Sequence, residues 1–575
     1  MEREEQRLDA DERELLERAL RLFEEFRTAH RPMHEQARVG RQLRALKDDT
    51  LPKTAPKLNN LNSTIDNVIA DQLDNLPEAK MLPERPELQD SADILTDVVR
   101  YALYQSAFDE QYAEVMEDCA VTGTGVLQVF WDEALDDGRG MARCERWEME
   151  SFCPDPLFED IQDGRAVFKT AFYPREWFEE HYPDKAQYIG GDAFWEPRTA
   201  YSPEGEAPIL LIEYWWRDYD AASKRYRVHM AQVAGGALLY YSGEQSVYSH
   251  GKYPFVVFRY RKQAGSPFGI SLMDDYADQW RATCRYAKYV DDNARASSRQ
   301  RFIYREDSGL DGKALADWSK DFIGTRGNID DASLRSFQAS PLNPQVMNFM
   351  TYLVDTMKQD SGQNQFSRGE GGLGVTAASA IQALQEAGGK ITRLHTASYK
   401  ECFRQVVEQM IYILSDKITT ERVIMVAGRS SSGELIPRNV KLVPGKGRAI
   451  ERPPYNVRVQ VQRRSPLQIQ ANNEFVMQVA QICGQAGQPL PPIAVVSLLQ
   501  GIDNKQEVLT ALHESDQMRA QMQQMQQAIE QMQAQLQQAG QQQEALRQAL
   551  QAGQQEAPDY GGLEETVTQE PQGGQ

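Results

Sequence analysis

Several things are scarce in this sequence, and each scarcity excludes a class of protein. The chain has six cysteines in 575 residues, Cys119, Cys144, Cys153, Cys284, Cys402 and Cys483, with no CxxC pair. A disulfide framework or a zinc site of that type is therefore not expected, and a reducing compartment is. There are seven histidines, too few for a His-rich metal cluster. His30 and His34 are four apart, but Pro32 separates them and no HExxH occurs. No apolar run approaches the roughly 20 residues a membrane span requires. The opening MEREEQRLDADERELLERAL is charged from its second residue and lacks the apolar centre of a signal peptide. A soluble, intracellular product with no membrane partner is expected.

Catalytic signatures are missing as well. GKG at 445–447 and GGK at 388–390 lack the spacing of a phosphate-binding loop, since Lys446 is followed by Gly447 and Lys390 by Ile391. The glycine-rich SRGEGGLGV at 367–375 reads as a hinge before a helix. No GxSxG elbow is present, and no cysteine has an activating partner nearby in sequence. Acid pairs such as Asp136/Asp137, Glu179/Glu180 and Asp291/Asp292 are expected on solvated faces in a chain with 84 acids. The reading is a non-enzyme with no cofactor and no metal.

What is present is acid. Against 84 Asp and Glu stand 63 Lys and Arg, a formal net charge of −21. That argues against a protein that coats nucleic acid, without excluding one that nucleic acid passes through. With 41% apolar residues the chain can bury a core, and its length suits about three or four domains.

Periodicity organises the chain. Residues 1–30 read as an amphipathic helix with Leu8, Leu15, Leu16, Ala19, Leu20, Phe23 and Phe26 on one face, ended by Pro32. A second helix is expected over 59–76, capped by Asn62 or Ser63. After the breaker LPERPE at 82–87, a long third helix is expected over 88–122, stopped by Gly123. Strands follow between 125 and 169, a short helix over 174–189 broken at Pro183, and a strand-rich β module over 207–262. One long helix covers 268–300, then a strand, RFIYRE. Further helices are expected at 345–359 and 376–418, strands at 421–427, 435–443 and 455–463, and helix beyond Pro466. Residues 551–575 read as a disordered tail.

Three features stand out. On the 268–300 helix, Arg281, Arg285, Lys288, Arg295 and Arg299 fall on one face, diluted by Asp291 and Asp292. That stripe is either a solvated, subunit-bridging face or a ring of positive charge toward a polyanion. Residues 429–464 hold nine basic against two acidic residues, a net +7. Finally, 18 of the 39 residues in 517–555 are glutamine, with Met518, Met522, Met525, Ile529, Met532 and Leu536 spaced 4, 3, 4, 3, 4. Such a heptad seam calls for neighbouring helices; the alternative is a glutamine-rich disordered tail.

Four segments resemble one family, the portal proteins of P22-like tailed phages. They are MESFCPDPLFEDIQDGRAVFKTAFYPREWFEEHYP (149–183), KYPFVVFRYRKQAGSPFGISLMDDYADQWRATCRYAKYVDD (252–292), QNQFSRGEGGLGVTAASAIQALQEAGGKI (363–391) and YNVRVQVQRRSPLQIQANNEF (455–475). In the first, Cys153-Pro154-Asp155-Pro156, Asp163-Gly164-Arg165 and Tyr182-Pro183 carry the likeness. The four run in consistent order over roughly 50–475.

The resemblance implies a mixed α+β portal fold: long stem, wing and crown helices, a small β-rich clip and a C-terminal helical barrel or coiled coil. The implied divisions are 1–204, N-terminal helices and part of the wing; 205–265, clip; 266–300, stem helix; and 301–375, wing with a tunnel helix and loop near 341–366. They continue with 376–499, wing and crown; 500–550, barrel; and 551–575, tail. It further implies a homo-oligomeric ring, a dodecamer, at one capsid vertex of the virion, built in the host cytoplasm. The ring would conduct double-stranded DNA during packaging and ejection. Its implied partners are the terminase large subunit, head-completion and tail adaptor proteins, and the major capsid and scaffolding proteins. The competing readings are a scaffolding or adaptor protein oligomerising through the C-terminal heptads, and a packaging ATPase or nuclease subunit, against which the missing phosphate loop counts.

Overall fold

The structure, a computed structural model, describes residues 6, 8–74, 76–83, 89–190, 207–298, 301–305, 311–317, 334–337, 341–361, 390–418, 422–429, 435–442, 455–461, 466–485, 491–499 and 505–553. The architecture is mixed, with long helices and several small sheets. The chain divides into two compact units, Met1–Val426 with Pro437–Ser465, and Ala427–Ile436 with Pro466–Gln575.

The first helix, α1 (Ala10–Arg44), starts at a capping box: Asp9 accepts from the Glu12 N–H, and the Glu12 carboxylate accepts from the Asp9 N–H. Pro32 does not end it. An interior proline costs about 3 kcal/mol or more, but the helix buries Phe23, Phe26 and His30 before Pro32 and Ala37, Gly40 and Leu43 after it. Burial on both sides outweighs the lost hydrogen bond. Helix α2 (Asn60–Leu73) is not capped by Asn62 or Ser63, which lie inside it. Asn62 turns inward instead, and its Nδ2 donates to the Arg44 carbonyl at 2.9 Å, satisfying the end of α1.

Strand β1 (Pro77–Pro83) fills the gap between the expected second helix and the breaker at 82–87, where no strand was expected, and overlaps the start of that breaker. It pairs antiparallel with Tyr455–Val461. The expected third helix is two, α3 (Gln89–Gln105) and α4 (Phe108–Thr122), broken where Ala107 takes left-handed dihedrals of φ 48 and ψ 45. The break frees the Ser106 hydroxyl to accept from the Cys144 N–H at 3.2 Å, tying the helices to a strand. Gly123, at φ 88, ends α4 as expected.

The next eight strands are β2 (Thr124–Asp132), β3 (Met141–Trp147), β4 (Phe152–Pro154), β5 (Ala166–Tyr173), β6 (Ile209–Asp220), β7 (Arg225–Ala234), β8 (Ala237–Tyr241) and β9 (Phe255–Arg259). They form a three-stranded sheet ordered β3-β2-β9 and a five-stranded sheet ordered β4-β5-β6-β7-β8. The strands of 205–265 are therefore not self-contained: β6 pairs with β5, and β9 with β2. Gln6, just ahead of α1, meets the outer edge of β8 at Leu238. Its Nε2 donates to the Leu238 carbonyl at 2.9 Å and its Oε1 accepts from the Leu238 N–H at 3.0 Å.

Among the described residues four hydrophobic clusters hold this unit, a small one around Phe178, Ile209 and Leu239 and three larger ones. Phe108, Tyr112, Val126, Val129, Phe255 and Phe258 pack with Phe403, Val407 and Met410 of the helix Lys390–Lys417. Leu43, Ile65, Leu272, Trp280 and Met357 join α1 and α2 to the helices Leu272–Ser298 and Pro344–Asp360. Phe23 and Phe26 of α1 meet Phe168 edge-on, each at 5.5 Å, over the five-stranded sheet.

The helices Leu272–Ser298 and Pro344–Asp360, and the strands Arg301–Tyr304, Arg422–Arg429, Leu435–Leu442 and Tyr455–Val461, sit where the periodicity places them. So do Pro466–Gln485, Pro492–Leu498 and the 49-residue Lys505–Gly553. The glycine-rich 367–375, the first part of the 376–418 helix and residues 554–575 lie outside the described residues. Among the described residues, no helix is long and apolar enough to cross a membrane.

Candidate functional site

The segments singled out at 149–183 and 252–292 meet at one node. Asp155, almost fully buried, accepts from the Arg165 backbone N–H at 3.0 Å and from its guanidinium at 2.6 and 3.1 Å. Burial pushes the Asp155 carboxyl up, but these bonds and one from the Leu157 N–H outweigh it and hold it below the usual carboxylate range. Arg165 also lies over the Phe26 ring of α1 at 5.2 Å. The Tyr253 hydroxyl donates to the Gly164 carbonyl at 3.0 Å, and Glu159 accepts from the Gly265 N–H at 2.6 Å. Phe268 packs edge-on against His30 at 4.9 Å, while His30 Nε2 donates to the Pro154 carbonyl at 2.8 Å. The node thus fixes the turn that opens Leu272–Ser298.

Backbones approach closely around it. A Cβ on Gly123 would lie 2.3 Å from the Gly269 carbonyl oxygen, and one on Gly40 would lie 2.4 Å from that of Val121. Only glycine fits either contact.

A buried ion-pair network, invisible in the sequence, holds α1 to α4 and β3. Asp118 accepts from Arg146 at 2.6 and 2.9 Å and pairs with Arg41 at 3.1 Å, while Arg41 reaches Glu150 at 2.8 Å. Burial pushes the Asp118 carboxyl up despite the pull of both arginines. The only hint in the sequence is an acid inside the apolar end of α4.

Arg281, Arg285, Lys288 and Arg295 of the basic stripe lie within the helix Leu272–Ser298, and three of these four pair within the chain. Arg281 pairs with the buried Asp48 at 2.7 Å and with Asp278 at 3.2 Å. Burial pushes Asp48 up, yet hydrogen bonds from Thr50 and Arg281 leave it below the usual carboxylate range. Lys288 pairs with Asp292, and Arg295 with Asp291 at 3.1 Å. Arg285 is exposed with no ion pair among the described residues. Arg299 lies outside the described residues. Arg281 is thereby tied into the fold, and Arg285 is the stripe cation without an ion pair among the described residues.

Within the second unit, Pro492–Leu498 packs against the long helix Lys505–Gly553. At about 1.5 Å per residue that helix runs on the order of 70 Å. Its seam of Met518, Met522, Met525, Ile529, Met532 and Leu536 is 50–72% exposed, far more apolar surface in one line than a solitary helix keeps in water. In 429–464, only Arg458 has a described side chain, and it is exposed.

The six cysteines are free thiols. Among the described residues no group of three or more His, Cys, Asp or Glu is placed to hold a metal ion. What the geometry offers is, in the first unit, a packed frame that positions the helices Leu272–Ser298 and Pro344–Asp360 and, in the second unit, a long helix with an exposed apolar seam.

Comparison with known families finds a match over residues 16–559 to the model described as Phage P22-like portal protein. No curated protein matches the chain.

Proposed function

Because the chain belongs to the P22-like phage portal family, we propose an assignment of its parts to the channel that such a protein forms. It is a phage portal, part of a multimeric ring at the virion's capsid vertex through which DNA is packaged and ejected, with capsid, terminase and DNA as partners. The family is structural. The observation that carries this is the extent of the match, nearly the whole chain; a scaffolding role confined to the C-terminal heptads has no support in it.

The finer reading is a dodecamer assembled in the host cytoplasm, docking the terminase large subunit and later head-completion and tail adaptor proteins, and meeting major capsid and scaffolding proteins. Leu272–Ser298 is the stem helix, and Pro344–Asp360 packs beside it, with Tyr286 edge-on to Phe349 at 5.4 Å. The clip is better sought in the paired strands Arg301–Tyr304 and Leu334–Phe337 than in 205–265. Those strands lie in the chain between the two packed helices, whereas Trp215, Val228 and Phe255 belong to the central core. The wing comprises the node and sheets, 376–499 adds wing and crown, 341–366 the tunnel helix and loop, and 500–550 the barrel.

Images of the purified protein test the reading: twelve-fold rings are expected, and monomers under every assembly condition would overturn it. Rings should persist after deletion of 517–555. Arg285→Glu with Arg295→Glu should lower the DNA packaged per particle while rings still form; an unchanged packaged length counts against a channel role for the stripe.

A further inference from the structure

Strand β1 and its distant partner hold a charge arrangement that the stem stripe leaves unexplained. Lys80 lies directly opposite Arg458 in the antiparallel register of Pro77–Pro83 with Tyr455–Val461. Residues so opposed share a face with Cβ atoms about 4.5–5.5 Å apart, and like charges there repel. Both side chains are exposed, and neither has an ion pair among the described residues. The nearest acid along the same face is Glu78, two residues away and opposite Gln460. The two cations cannot drift apart by sliding. Met81, the next residue, is fully buried and its N–H donates to Thr96 Oγ1 at 3.0 Å, so a one-residue slip would turn Met81 to solvent.

The fold thus holds two positive side chains side by side on one exposed face. The strand carrying Arg458 also runs through the +7 stretch 429–464, between Arg452 and the Arg463-Arg464 pair, within a chain of net charge −21. A negatively charged oxygen placed between the two side chains would turn their repulsion into two charge-assisted hydrogen bonds, one from an ammonium and one from a guanidinium. Such contacts are blind to base sequence, which suits a conduit for a whole genome. We propose that Lys80 and Arg458 form a phosphate-contact site for the backbone of duplex DNA. The assignment rests on the portal reading, which brings duplex DNA to the ring.

The test compares purified rings of the full chain, wild type and Lys80→Gln/Arg458→Gln, titrated with a short fluorescent duplex over a range of salt. The variant should bind more weakly at low salt. Its plot of log affinity against log salt should be shallower by about 1.8 for each subunit touching DNA, about 0.9 per lost cation. Its thermal midpoint should be equal or higher, because a repulsion has been removed. Identical affinity and slope in two ring-forming proteins would overturn the site and leave the portal reading standing. A lowered midpoint with unchanged slope would also overturn it, making the pair a packing element. Failure of the portal reading would appear separately, as wild-type protein that forms no rings.

Discussion

Apolar side chains in the body around α1 find one another within a single chain. Phe23 and Phe26 cover Phe168, and Trp280 is fully buried with its Nε1 donating to the Leu58 carbonyl at 2.7 Å. Along Lys505–Gly553 the apolar residues from Met518 to Leu536 stay at least half open. Charge is distributed in the opposite sense. The body locks arginines onto buried carboxylates at Asp118, Asp155 and Asp48, while 517–555 holds four charged residues in 39. The contrast separates two uses of apolar surface: the body buries its apolar side chains within one chain, and the C-terminal helix leaves its seam exposed.

The strongest challenge to that contrast is Asp118→Ala, which leaves Arg41 and Arg146 without their buried anion. Removing one partner of a buried pair costs about 3–5 kcal/mol. Urea denaturation followed by near-ultraviolet signals from body aromatics should show a loss of that size, with no loss of association between C-terminal helices. Gly40→Ala should come next, at about 1–3 kcal/mol, because its methyl must displace the Val121 carbonyl; the same denaturation reads it.

Acid should divide the regions more gently. Burial lowers the pKa of His30, His395 and His250, the last to about 3. A histidine whose folded pKa is depressed stabilises above its unfolded value, and that contribution is lost progressively as pH falls below about 6.5. Asp48 and Asp155, also held low, add a further loss below about pH 4. The body's thermal midpoint should fall from pH 7 to pH 4, and the helical signal of 517–555 should change far less. A flat midpoint over that range would break the comparison. The smallest effect on stability belongs to Ile529→Glu, within about 0.5 kcal/mol for the body, although it should abolish C-terminal association in sedimentation of the full chain.

Most long elements were legible, because helical periodicity and caps are local. The stop at Gly123, the strands of 125–169 and the helix after Gly269 followed from residues nearby. Most of the misses share a cause, which is distance. Strand β1 looks like punctuation between prolines until Tyr455–Val461, more than 370 residues away, supplies its ladder. Pro32 reads as a stop unless the burial of residues on both sides of it is known. Ala107 offers no sign that it will adopt a left-handed conformation. At the site, spacing alone put Arg281 and Arg285 on one face, but Asp48, 233 residues from Arg281, decided which of the two is engaged inside the chain. Asp155 and Arg165 stood in two separate segments that carry the family likeness, and only the structure joins them as an ion pair.

The amide of Gln6 has a consequence reaching past one subunit. A sheet that ends in unpaired backbone groups can accept a strand from any passing copy, and a ring crowds many identical sheets together. By answering both the N–H and the carbonyl of Leu238, Gln6 takes up one residue of that edge and leaves less of it for another strand to pair with.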